Sequence, residues 1–145
     1  MIKVTPFLWF ENQALDAAKF YVSIFKNSRL INESPMMVIF ELEGQKVMAL
    51  NGGSHFKLSE AFSFFVSCQT QEQVNEYWEK LSEGGEKSRC GWLKDKFGLS
   101  WQIIPDALGK YLSDSDPAKS QNVMNAMLKM SKINISELDK AYNQR

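Results

Sequence analysis

The chain has little of what metal chemistry or covalent cross-linking draws on: one histidine and two cysteines in 145 residues. So few thiols exclude a disulfide-stapled scaffold, and Cys68 and Cys90 read as free thiols, packed or partly exposed. Neither sign of charge is in excess, because 17 basic residues offset 17 acidic ones. Attraction to phosphate backbones or anionic lipid needs a surplus of cations, so neither nucleic acid nor a membrane is expected as a partner. Long apolar runs are also missing. The apolar opening Val4–Phe10 contains Pro6, lacks a small-residue cleavage pattern and runs straight into Glu11. It is too short to span a bilayer and unlike a secretion signal, which gives the expectation of a cytoplasmic protein. The length alone suffices to bury a core without metal or disulfide.

What is present is a pattern of elements. Val4–Phe10 has the aromatic composition of a strand covered on both faces, irregular at Pro6 because proline cannot donate to a ladder. Asn12 offers a helix N-cap, and Leu15, Ala18, Val22 and Phe25 recur at helical spacing, with Ala14, Ala17 and Tyr21 widening the stripe. A weakly patterned strand opens at Ile31, a second runs over 36–42, and Glu43-Gly44 turns the chain into 47–50. The order then begins again. An aromatic strand over 61–66 precedes Thr70 and Gln73, a capping box, and a helix with Val74, Tyr77, Trp78 and Leu81 on one face. Gly84-Gly85 stops that helix, and 92–94, the turn 95–98 and 99–105 form a second hairpin.

Two spacings mark this as a repeat. Thr5 stands seven residues before Asn12 and Ser63 seven before Thr70; Met48 stands four after Gly44 and Gln102 four after Gly98. The reading is an α+β fold of paired βαβββ modules, 1–56 and 57–106, followed by short helices over 107–145, all in one compact domain. In the tail, Asp116-Pro117 has the pattern of a helix start ahead of Val123, Met127 and Met130, and Ser136 with Asp139 resembles a second cap. The apolar faces of these helices need cover, from the body of the same chain or from a partner subunit.

The doubled module, with the run Cys90-Gly91-Trp92-Leu93-Lys94-Asp95-Lys96-Phe97-Gly98 continuing through Gln102 to Pro105, resembles the vicinal oxygen chelate superfamily of glyoxalases and bleomycin-resistance proteins. Within it the resemblance is to the PhnB-like branch, labelled 3-demethylubiquinone-9 3-methyltransferase. The opening Thr5–Phe10, the turn Leu50-Asn51-Gly52-Gly53 and the tail around Ala126–Met130 agree with that branch. The resemblance implies a homodimer whose modules wrap a cavity and, in many members, a divalent metal held by one ligand from each of four strands. It does not choose a chemistry, because the superfamily hosts several.

By the repeat spacing, the implied ligand positions hold Thr5, Met48, Ser63 and Gln102. Hydroxyls, a thioether and one amide are poor ligands for a hard divalent ion, so no metal and no other cofactor is expected. Strand alternation adds Phe7, Trp9, Leu50, Phe65 and Ile104 to the same faces, an apolar and aromatic lining that reads either as core or as a site for a small hydrophobic or aromatic molecule. His55, Cys90 and Trp92 are further candidates; His55 reads as a solvated loop histidine, Cys90 lacks a visible activating base, and Lys94 and Lys96 around Asp95 read as a solvated charge cluster. Gly52-Gly53 and Gly84-Gly85 do not stand between a strand and a following helix, so no nucleotide-cofactor cradle is seen. The leading expectation is a ligand-binding protein. Its rival is an enzyme, metal-assisted through a shifted set such as Gln102, His55 and Glu41, with Asn51 also near, or a methyltransferase.

Overall fold

Pro6 has no N–H to offer a ladder, and the first strand accordingly begins one residue later than that proline: in the computed structural model, which describes residues 1–144, β1 is Phe7–Phe10. Arg145, the last residue of the expected tail, lies outside the described residues. The order continues α1 (Ala14–Ile24), β2 (Arg29–Glu33), β3 (Met37–Leu42) and β4 (Gln45–Asn51). The second round is β5 (Ser63–Cys68), α2 (Gln71–Ser82), β6 (Glu86–Lys87), β7 (Trp92–Lys94) and β8 (Ser100–Pro105). Three helices follow, α3 (Asp106–Leu112), α4 (Pro117–Met127) and α5 (Ile135–Tyr142). The chain divides into two compact units, Met1–Ser59 and the residues from Glu60 on.

Each unit carries one α+β module with the same sheet. The orders are β1-β4-β3-β2 and β5-β8-β7-β6, with the first pair parallel and the others antiparallel. Register makes the repeat quantitative: Phe7 stands opposite Met48 in one sheet, and Phe65 opposite Gln102 in the other. Counting back two residues from each aromatic reaches Thr5 and Ser63, the pair that sequence spacing equates.

In the first unit, Leu8, Phe10, Val38, Phe40, Val47 and Ala49 alternate onto the face that α1 covers and are buried. The buried side of α1 is Ala14, Ala17, Ala18, Tyr21 and Ile24, so the small alanines lie against the sheet while Leu15 and Val22 flank them, half-buried. The expected cap at Asn12 is corrected. Gln13 occupies the N-cap position without a side-chain bond, and Asn51 at the end of β4 supplies the cap instead, its Oδ1 accepting from the Ala14 N–H at 2.8 Å. Glu43 and Gly44 both have positive φ, 46° and 86°, which closes the β3–β4 hairpin with two residues of the twist-matching kind.

In the second unit, the strand expected over 61–66 is displaced two residues, to Ser63–Cys68. Thr70 caps α2 by accepting from the Gln73 N–H at 3.2 Å, and the Gln73 side chain reaches back to the N–H of Gln69 at 2.7 Å. Asp95 overturns the solvated-cluster reading. It is 3% exposed, and its carboxylate accepts from the Phe97 N–H (2.8 Å), the Leu99 N–H (3.1 Å) and the Trp101 indole N–H (2.8 Å). One side chain thus closes the β7–β8 turn and fixes the largest fully buried residue.

The tail helices are covered by their own unit. Leu108, Val123, Ile133 and Leu138 bury themselves against Ile104 of β8. Asp116 caps α4 as expected, whereas α5 is capped by Asn134, which accepts from the Glu137 N–H at 3.0 Å, and not by Ser136. Two ties fasten the tail: Met130 and Ser131 carbonyls accept from the Cys90 and Gly91 N–H groups, both at 2.8 Å, and the Gln71 amide bonds Ile133 O and Ile135 N at 3.0 and 2.8 Å. Among the described residues no helix is long and apolar enough to cross a membrane.

Candidate functional site

The face of each sheet opposite its helix collects the candidate residues, because side chains two apart on a strand share a side. In the first unit Phe7 (52% exposed), Trp9, Met48 and Leu50 stand there in register, with half-buried Thr5 just before β1. Trp9 is held in place: its indole N–H donates to Gly53 O at 2.9 Å, Phe56 meets its ring edge-on, and a Cβ on Gly52 would come within 2.3 Å of it. His55 is exposed in the loop that follows. Glu41 shares the face but is engaged by Arg29 at 3.1 Å. Asn51 is committed to capping α1, and its amide N–H also donates to Pro35 O at 3.0 Å, so it joins a shifted ligand set only by giving up a structural bond.

In the second unit the same face carries Ser63, Phe65, Gln102 and Ile104, and here a cavity forms. A hollow of about 550 Å³ has Phe65, Cys90, Trp92, Gln102 and Ile104 on the sheet side. Leu108, Leu112 and Met127 of α3 and α4 close the other side, with Asp106, Lys110 and Ser113 at its margin. The Gln102 amide N–H donates to Ser63 Oγ at 3.0 Å, which fixes the amide and leaves its carbonyl oxygen as an acceptor on an otherwise apolar wall. The tail contribution is what sequence reading missed. Met127 was visible on a helical stripe, but α3 follows β8 without a loop or cap of its own and left no start signal.

Cys90 lines this hollow with left-handed backbone, φ 58°, beside Gly91 at φ 84°. Both N–H groups hold the tail, so the pair has a structural task that explains the conformation. Cys68, buried on the helix-covered face, has its thiol pushed up to about 11 by burial and then by the negative charge of Asp106, and is inert as a nucleophile near neutrality. A second hollow of about 320 Å³ lies along β6 and β7 and shares Trp92 with the first. It contains Glu60, Glu86, Arg89, Lys94 and Ser100. Lys94 reaches Glu60 at 2.7 Å, and that hydrogen bond raises the lysine and lowers the glutamate from their ordinary values.

The family model for 3-demethylubiquinone-9 3-methyltransferase matches residues 2–104. The chain belongs to that family. Among solved structures, a PhnB protein from Bacillus cereus is 29% identical with a TM-score of 0.66, over 72% of this chain and 99% of its own. A Pseudomonas aeruginosa protein is 16% identical with a TM-score of 0.61, covering 72% and 98%. The fosfomycin resistance protein FosX of Listeria monocytogenes, in a structure with Mn(II) and a dihydroxypropylphosphonic acid, is 19% identical with a TM-score of 0.51, covering 70% and 88%. These likenesses establish the paired-module fold of the glyoxalase and fosfomycin-resistance proteins. No curated protein matches the chain. The family match stops at residue 104, so the tail around Ala126–Met130, which the sequence reading attached to the same branch, lies outside it.

Metal-bearing relatives raise the question of whether a divalent ion suits this family member. The four implied positions hold two hydroxyls, a thioether and an amide already bonded to one of those hydroxyls. Among the described residues no three of His, Cys, Asp and Glu come together. That donor set does not fit a hard cation.

Proposed function

We propose that this chain binds a small hydrophobic or aromatic molecule in the hollow between the β7–β8 face and the tail helices, acting as a cytoplasmic homodimer without a strongly held metal. The observation that carries the reading is the hollow itself: about 550 Å³, walled by Phe65, Trp92, Ile104, Leu108, Leu112 and Met127, with one oriented amide. That volume falls in the range of small-molecule sites, and an apolar wall with few fixed polar groups is their usual composition. On the first sheet, Thr5, Phe7, Trp9, Met48 and Leu50 supply a second aromatic and apolar surface. Exposed Phe7 and Phe65 support a second copy covering these faces. The two free thiols agree with a reducing compartment.

The test is titration with the uncharged fluorophore N-phenyl-1-naphthylamine. Binding is expected to weaken at least tenfold in Phe65→Ala and in Trp92→Ala; unchanged affinity in both sinks the assignment. The family description favours a second reading, methyl transfer. Saturable binding of S-adenosylmethionine, displaced by the fluorophore, would replace the binding-protein reading with that one.

A further inference from the structure

Ser100 stands on the same face of β8 as Gln102 and Ile104, yet its surroundings differ from theirs. It is 1% exposed, it lines the smaller hollow, and its Oγ has no hydrogen-bond partner. A buried hydroxyl without a partner carries a desolvation cost that a neighbouring group would ordinarily relieve. The charged groups around the same hollow show what kind of group is missing. Lys94 is already matched, by Glu60 at 2.7 Å and by Glu86 opposite it in register. Arg89, exposed at the rim in the turn before β7, makes no ion pair among the described residues. Both carboxylates therefore face Lys94, and Arg89 is the cation of this hollow without an ion-pair partner among the described residues. What is left over is a hydroxyl donor and a guanidinium, which together suit one carboxylate, whose single charge is repelled less by Glu60 and Glu86 than the double charge of a phosphate.

The two hollows share Trp92, and Ser100 lies two residues, about 7 Å, along the strand from Gln102. We infer that the ligand is amphipathic: its apolar body fills the larger hollow while its carboxylate passes Trp92 to accept from Ser100 Oγ–H and the Arg89 guanidinium. This inference rests on the binding-site reading above and adds the substrate class, an aryl- or alkyl-substituted carboxylic acid.

The experiment is calorimetric titration of the intact protein with 4-(2-naphthyl)butanoate and with its uncharged amide. The expected result is acid binding at least tenfold tighter than amide binding. Ser100→Ala and Arg89→Gln should each reduce that ratio at least threefold. A ratio near one, or a ratio unmoved by both variants, overturns the carboxylate site. If neither naphthyl probe binds but N-phenyl-1-naphthylamine does, the carboxylate inference alone falls. If none of the three binds, the ligand-binding reading falls with it.

Discussion

Asp95 and Ser100 sit on either side of one turn and illustrate opposite energetics. Asp95 makes three hydrogen bonds from a buried position, so Asp95→Ala would strand two backbone donors and the Trp101 indole N–H together. Urea unfolding should show a loss of about 2–4 kcal/mol. Ser100 has the reverse sign. Replacing its unpartnered hydroxyl with hydrogen removes a desolvation cost, and Ser100→Ala should gain about 1 kcal/mol in the ligand-free protein, a rise in Tm of about 3 °C. A hydroxyl that is already satisfied would give a loss instead. Neither role was legible in the sequence. A charged triplet such as Lys94-Asp95-Lys96 reads as solvated because nothing local says that its middle member turns inward to an indole six residues away. Gln102 was legible, because its position relative to Gly98 repeats that of Met48 relative to Gly44.

At the scale of elements, three local signals held, while the local caps read at Asn12 and Ser136 did not. Thr70 with Gln73, Asp116 with Pro117 and the two-residue Glu43-Gly44 turn each act within four residues, and each appears where the pattern places it. The cap of α1 comes from Asn51, 37 residues beyond the N–H it serves, and no window of sequence contains both. Asn51→Ala should therefore cost about 1–2 kcal/mol in chemical denaturation, while Asn12→Ala should stay within about 0.5 kcal/mol. Equal costs at the two positions would restore the local cap. Gly91 is the other element-scale prediction. Its φ is +84°, and a Cβ there would come within 2.7 Å of Ile104 and 2.9 Å of the Ile103 carbonyl. Gly91→Ala is expected to lower stability by several kcal/mol, on the order of 3, and to loosen the tail, which hydrogen exchange at Met130 to Ile133 would report.

For the molecule as a whole, alkaline pH is the condition that should separate native from unfolded states. The Cys68 thiol is raised by burial from 9.0 to about 11, and the Tyr111 hydroxyl from 10.0 to about 12, chiefly by its hydrogen bond to Asp139. A group whose folded value lies above its unfolded one contributes stability that is intact below the unfolded value and lost as pH rises through the folded one. The urea midpoint should be flat to about pH 9 and fall between pH 9 and 11, with a shallower fall in Cys68→Ala. Identical slopes would remove Cys68 as the cause. The modular plan was legible at this scale because duplication prints the same spacings twice. The hollow was not, because half of its wall comes from helices with no counterpart in the repeat. That division of labour has an evolutionary side. The sheet belongs to the part of the chain that the family shares, which ends at residue 104, and the facing wall begins two residues later. If the hollow binds a ligand, exchanging the C-terminal segment would change what it accepts while leaving the strands within the family match untouched.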